Sequence, residues 1–163
     1  MQSLAEMTKP LTRVTESRTN AKHVGVFVDN AAGTLTDISA YTNSVGTVGV
    51  TYETQDVTAF SDGVKNVVIG QPAAPLTLSG PIDTVIITHM AAIVGLSTPL
   101  SLDLRFGIRQ AWQAGEPQFG ITSSSTVGYL CTAFTVDPSA NTWTAQFDVF
   151  GATLPAFGTA AET

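Results

Sequence analysis

Residues 99–108 read PLSLDLRFGI, in which Leu100, Leu102, Leu104 and Phe106 alternate with Ser101, Asp103 and Arg105. A period of two sends successive side chains to opposite faces of an extended chain, so the stretch predicts a half-buried β-strand. The same period recurs upstream in HVGVFVD, residues 23–29, where Val24, Val26 and Val28 alternate with His23, Gly25 and Phe27. The turn residues NAAG follow, with Asn30 and Gly33 suited to positive φ, and then a second strand in TLTDISAY that breaks near Ser39. Downstream, TVGYLCTAFTVD and NTWTAQFDVFG are joined by DPSAN, whose Asp137, Pro138 and Asn141 are turn formers. That arrangement predicts a terminal hairpin.

Between these anchors, VGTVGVTYET (residues 45–54) reads as one long strand, and APLTLSG as another with Leu76 and Leu78 on one face. Pro72, Pro75 and Pro81 restrict which segments sit centrally in a sheet. The one plausible helix lies in GPIDTVIITHMAAIVGL. Asp83 is placed as its N-cap, Ile82 and Ile87 as a hydrophobic staple and Gly95 as its stop. At helical spacing Ile82, Val85, Ile86, His89 and Ile93 form one stripe with Met90 at the margin. The β-branched run TVIIT keeps a strand open as the alternative there. RQAWQAGEPQFG, residues 109–120, reads as a connection. The chain is therefore expected to be mainly β, about eight or nine short strands in two packed antiparallel sheets with one flanking helix. Its parts are an extended arm over residues 1–22, a β-sandwich over 23–157 and a loose tail over 158–163.

Composition narrows the function. The 163 residues are 44% hydrophobic and only 12% charged, about half the usual charged share. This suits one β-domain with extended contacts to other chains, not disorder or a coiled coil. A net charge of −6 argues against an ordinary nucleic-acid reader, which needs Lys and Arg to neutralise phosphates. Four of the seven basic residues, Lys9, Arg13, Arg18 and Lys22, precede His23, giving that arm a net +2 and the rest −8. A basic arm on an acidic body is suited to docking on a neighbouring copy.

No phosphate loop, no Gly-x-Ser-x-Gly elbow and no His-Glu-x-x-His is present. Cys131 reads as a small apolar strand residue rather than a nucleophile, and with no second cysteine there is no intrachain disulfide. His23 and His89 read as ordinary strand and helix residues rather than metal ligands. Asp103 and Arg105 share a strand face, with Asp148 expected across from them, as an ion pair rather than an acid/base couple. Trp112 and Trp143 read as core or interface anchors. An alternative is a carbohydrate-binding module using Trp112, Trp143 or Tyr129. No apolar run approaches a membrane span, no signal peptide opens the chain, and no cofactor is implied.

That leaves YETQDVTAFSDGVKN, residues 52–66, a long polar and acidic loop carrying one phenylalanine. The order GVFVDNAAGTLTDISAY, VGVTYETQDVTAFSDGVKN, PLTLSGPID resembles small tail-tube-like virion proteins of tailed bacteriophages. The resemblance rests on Glu53, Thr54, Asp56, Val57, Thr58, Phe60, Leu78, Ser79 and Gly80 and covers residues 24–83 best. It implies a β-sandwich with a helix whose subunits join sheets into a ring, usually a hexamer, that stacks into a tube. It further implies a virion protein made in the host cytoplasm, with DNA only as cargo through an acidic lumen. The loop would then reach a neighbouring subunit, with Phe60 as the apolar anchor and Glu53, Asp56, Asp62 and Lys65 setting register. The same fold is reused elsewhere in virions, so a decoration or minor capsid protein bound to the major capsid protein by its basic arm is the runner-up.

Overall fold

The computed structural model describes residues 24–107 and 116–159, and within them the strand-dominated reading holds. β1 (Val24–Asp29) and β2 (Leu35–Asp37) form the expected hairpin, with Phe27 opposite Asp37. Its turn uses Gly33 at φ 77, whereas Asn30 acts through its side chain, Oδ1 accepting from the amides of Ala32 and Thr34 at 2.9 and 3.0 Å. A 3-10 turn (Ser39–Tyr41) and β3 (Ser44–Val45) carry the chain to a second sheet. β4 (Thr51–Asp56) and β5 (Val67–Ala73) pair only with each other, and β6 (Leu76–Pro81) returns to the second sheet.

The expected long strand over 45–54 is therefore two pieces. Pairing with β6 stops at Val45, Gly49 takes φ 149, and the chain restarts at Thr51 on a course away from the body. Helix α1 (Thr84–Ile93) follows, then β7 (Leu102–Phe106), β8 (Pro117–Ile121), β9 (Gly128–Asp137), β10 (Thr142–Phe150) and β11 (Ala156–Thr159). One sheet has the order β11-β8-β7-β1-β2 and the other β3-β6-β10-β9, and every pairing is antiparallel. β8 occupies residues that read as a connection. β11 pairs Gly158 with Gln118 and Thr159 with Pro117, so ordered pairing runs past residue 157.

The two inner faces make the core. Val26, Val28, Leu102, Leu104 and Phe119 from the first sheet meet Leu76, Leu78, Tyr129, Cys131, Trp143, Ala145 and Phe147 from the second, all buried. Helix α1 adds Ile86, Met90 and Ile93. Asp83 is its N-cap as expected, Oδ1 accepting from Val85 N at 2.8 Å, and the strand alternative for TVIIT is excluded. The buried stripe is rotated from the expected one: Val85 is exposed and Met90 sits fully inside, where its flexible thioether fills the space over the sheets. Past the helix, Gly95 takes φ 75 and donates to the Cys131 carbonyl at 3.0 Å, fastening the helix end to β9.

Trp143 is the largest fully buried side chain, and Nε1 donates to the Tyr41 carbonyl at 3.1 Å. That contact requires Gly80, because a Cβ there would lie 2.0 Å from the Tyr41 oxygen and 3.0 Å from Trp143 Nε1. Gly80→Ala should accordingly cost at least about 2–3 kcal/mol, through overpacking against backbone. Asp83→Ala should cost about 1 kcal/mol, the usual price of an N-cap. Urea midpoints of the two variants check both the order and the sizes.

Candidate functional site

The residues singled out as an assembly loop belong to a projecting β-hairpin. β4 and β5 run six and seven residues, with Thr54 opposite Ile69, Gln55 opposite Val68 and Asp56 opposite Val67, and a bulge falls between Tyr52 and Thr54. Every residue from Thr51 to Ala73 is exposed. An isolated two-stranded hairpin is marginal in water, and this one leaves Tyr52, Val57, Val64, Val67, Val68 and Ile69 in solvent. Exposed apolar surface of this kind is characteristic of interaction sites.

The tip is built by its own polar side chains. Asp56 Oδ1 accepts from Thr58 N at 2.9 Å and Thr58 Oγ1 at 2.6 Å, and Thr58 Oγ1 in turn accepts from Asn66 N at 2.8 Å. Asp62 Oδ2 accepts from Ala59 N at 2.8 Å and Asn66 Nδ2 at 2.9 Å. These hydrogen bonds hold the Asp56 and Asp62 carboxyls below the usual carboxylate range, Asp56 chiefly through Thr58 and Asp62 chiefly through the Ala59 amide. Lys65 Nζ lies 3.6 Å from Asp56 Oδ2, an exposed pair worth little by itself. Asp56, Asp62 and Lys65 thus act first within the tip, where they present Phe60, the most exposed large apolar side chain of the described residues. Glu53 sits at the bulge, on the exposed face of β4.

The sequence reading missed that β4 and β5 stand clear of the body. The available signal was NVVIG, three β-branched residues with no apolar partner across the hairpin, since Thr54, Gln55 and Asp56 oppose them. Lys9, Arg13, Arg18, Lys22, His23 and Trp112 lie outside the described residues.

The other candidates are structural. Asp103 and Arg105 do pair, Arg105 Nε donating to Asp103 Oδ2 at 2.7 Å, and the guanidinium lies 4.5 Å from the centre of the Phe27 ring. Arg105 is buried and Asp103 partly so, and the second face of β7 is therefore largely covered instead of open to solvent as expected. Asp148 is not across from it. Asp148 lies on β10 in the other sheet, opposite Leu130, and accepts from Thr132 Oγ1 at 2.8 Å. The carbohydrate-platform reading fails for Tyr129 and Trp143, which are fully buried, with the Tyr129 hydroxyl donating to the Ala74 carbonyl at 3.0 Å. Burial pushes the Tyr129 hydroxyl up to about 12 and the Cys131 thiol up to about 11, so the thiol stays protonated and poorly nucleophilic near neutral pH. Among the described residues no three His, Cys, Asp or Glu gather as metal ligands, and no helix is long and apolar enough to cross a membrane.

Among the described residues, His89 is the group whose titration bears on stability near neutral pH. Desolvation on α1 lowers its pKa, partly opposed by a hydrogen bond to the Asp29 backbone, and Nε2 is shut from solvent without a partner. A depressed folded pKa contributes stability that is present above the unfolded value of 6.5 and lost as pH falls through the folded one. The urea midpoint should therefore decline from pH 7 to pH 5, and His89→Leu should flatten part of that decline. Every other titrating group is common to both proteins, so the difference between them isolates His89.

No protein-family model matches the sequence, and no curated protein does. Among solved structures, the chain is similar to one in the cryo-EM structure of an extracellular contractile injection system, the PVC sheath–tube complex in its extended state. The identity is 13%, the match covers 98% of this chain and 100% of that one, and the TM-score is 0.52. A chain of the PVC sheath/tube terminator is 15% identical over 82% of this chain and 92% of that one, with a TM-score of 0.47. The first likeness establishes a shared fold over nearly the whole length.

Proposed function

We propose that the protein is a non-enzymatic tube subunit that assembles with copies of itself into rings that stack. The observation that carries this reading is the hairpin Thr51–Ala73: ordered at its tip, apolar along β5, and without burial in its own chain. A soluble monomer gains nothing from such an element, whereas a subunit that meets a neighbour buries it. The fold shared with a chain of a sheath–tube complex supports the same reading.

Ring closure has its own candidate edge. β9 is ten residues long, GYLCTAFTVD; Leu100 bridges its outer side at Tyr129 and Gly95 at Cys131, which leaves Thr132–Asp137, with neither Lys nor Pro, as the open stretch beyond its pairing with β10. The opposite edge of that sheet is the two-residue β3. Unprotected edges of this length are templates for pairing with another chain, and head-to-tail pairing of unlike edges generates rings when the rotation closes. The resemblance to tail-tube-like proteins implies a ring that is usually a hexamer. The face of this sheet turned from the core holds Thr77, Ser79, Thr135, Thr144, Gln146 and Asp148, polar positions alternating with the buried Trp143, Ala145 and Phe147. That face also carries Asp137, Leu130 and Phe150, and its hydroxyls and two carboxylates with no cation suit the wall of a channel along which DNA passes without sticking.

Electron microscopy of the purified protein, with mass measured in parallel, tests the proposal. Stacked rings or tubes are expected from the native sequence, and Phe60→Asp should remain folded by circular dichroism yet form no tubes. Normal tubes from Phe60→Asp would remove the hairpin tip from the interface. Particles that only coat preformed capsid shells would contradict the tube and point to a decoration protein on the major capsid protein.

A further inference from the structure

The chain that bears the exposed Phe60 also has an uncharged groove at the root of the same hairpin. Val24 and Val26 of β1, Val45 of β3, Val48 and Phe106 of β7 line it with Ser44 at the rim, it encloses about 230 Å³, and none of its lining residues is charged. Another concavity, of about 370 Å³, lies elsewhere and is lined by Asp29, Asp103 and Arg105 among others. We propose that Phe60 of one subunit seats in the Val24–Val48–Phe106 groove of a second copy, and that this contact is the axial, stacking interface. The inference rests on the tube reading and adds to it the receiving surface and its direction.

Three features support the pairing. Chemistry comes first: Phe60 is flanked by Ala59 and Ser61, and Asp62 is turned back onto the tip, so an apolar knob with an uncharged collar is presented. Such a knob matches an uncharged apolar groove, whereas the other concavity would set Asp56 and Asp62 of the tip beside Asp29 and Asp103. Order comes second: hydrogen bonds already fix the tip, so little conformational entropy remains to be lost when Phe60 docks. Geometry comes third. Residues 44–48 line the groove and the hairpin begins at Thr51, so socket and knob sit at opposite ends of one element, roughly 20 Å or more apart at strand rise. A knob cannot fill its own socket. Copies joined this way are related head to tail along the hairpin, a heterologous contact that propagates instead of closing.

Disulfide trapping between separately made variants decides it, because no link can then form within one chain. A tagged Ser61→Cys protein, with Phe60 kept, is mixed with Ser44→Cys, or with Gln118→Cys at the other concavity as a control, in a Cys131→Ala background. The assembled fraction is oxidised and run without reductant. The proposal expects covalent dimers of tagged and untagged chains with Ser44→Cys and loss of that band with Gln118→Cys. Tubes that assemble without the Ser44 link, or that link through Gln118, would overturn the socket while leaving the tube reading intact. Absence of any assembly in the parent protein would remove the tube reading and this inference together. A Ser44 link that forms only after residues 2–22 are deleted would assign the groove to the arm and also overturn the proposal. As an independent check, Val48→Asp in otherwise native protein should abolish stacking without unfolding the subunit.

Discussion

The apolar layer between the two sheets is the constraint on which everything else depends. Each strand spends alternate residues on it: Leu102 and Leu104, Val26 and Val28, Leu76 and Leu78, Trp143, Ala145 and Phe147. Burying each large apolar side chain contributes about 1.5–3 kcal/mol against the entropy of ordering the chain, and only a shared layer collects enough of them. Helix α1 closes part of it with Ile86, Met90 and Ile93. The hairpin takes no part, because no residue from Thr51 to Ala73 is buried. Folding therefore does not draw on the hairpin, so its exposed residues can be changed without dismantling the subunit.

Charge follows the same division. Acids of the described body outnumber its bases, and the two bases, Lys65 and Arg105, have very different surroundings. Arg105 is desolvated beneath Asp103 and Phe27, where removing one partner would strand a buried charge. Asp29 is likewise buried, and Oδ2 accepts from Ser101 N at 2.7 Å and Ser123 Oγ at 3.3 Å, tying the ends of β1 and β7 to the segment after β8. These groups serve the frame. Lys65 and the tip acids serve an exposed element whose order comes from hydrogen bonds to Thr58, Ala59 and Asn66.

Alternation made the sandwich legible. PLSLDLRFGI and HVGVFVD pair as β7 and β1, Asp83 caps the helix, and Asp137 Oδ1 accepts from Ser139 N at 2.9 Å in the terminal turn while Asn141 takes φ 52. What period two does not encode is where a strand goes. It says that Val67, Val68 and Ile69 are extended, not that their partner strand leaves the body. It is also silent in β8, where Pro117 and Gly120 interrupt the pattern, and in β11, whose Phe157 packs at 4.7 Å from Phe119. The helix stripe was misplaced because Val85 and Met90 are both apolar, and only packing decides which turns inward. Phe60 could be singled out because it stands alone in a polar stretch, and the structure leaves it exposed, whereas the groove at the hairpin root draws on three strands and has no local signature.

Hydrogen–deuterium exchange across the hairpin, compared between dissociated subunit and assembled particles, tests most directly the claim that residues 51–73 exist for a neighbouring copy. Strong slowing of the β4 and β5 amides on assembly, with the core strands β1, β7 and β10 little changed, is the predicted result. Equal exchange of those amides in both states would mean that the hairpin stays in solvent within the particle, and would contradict the account.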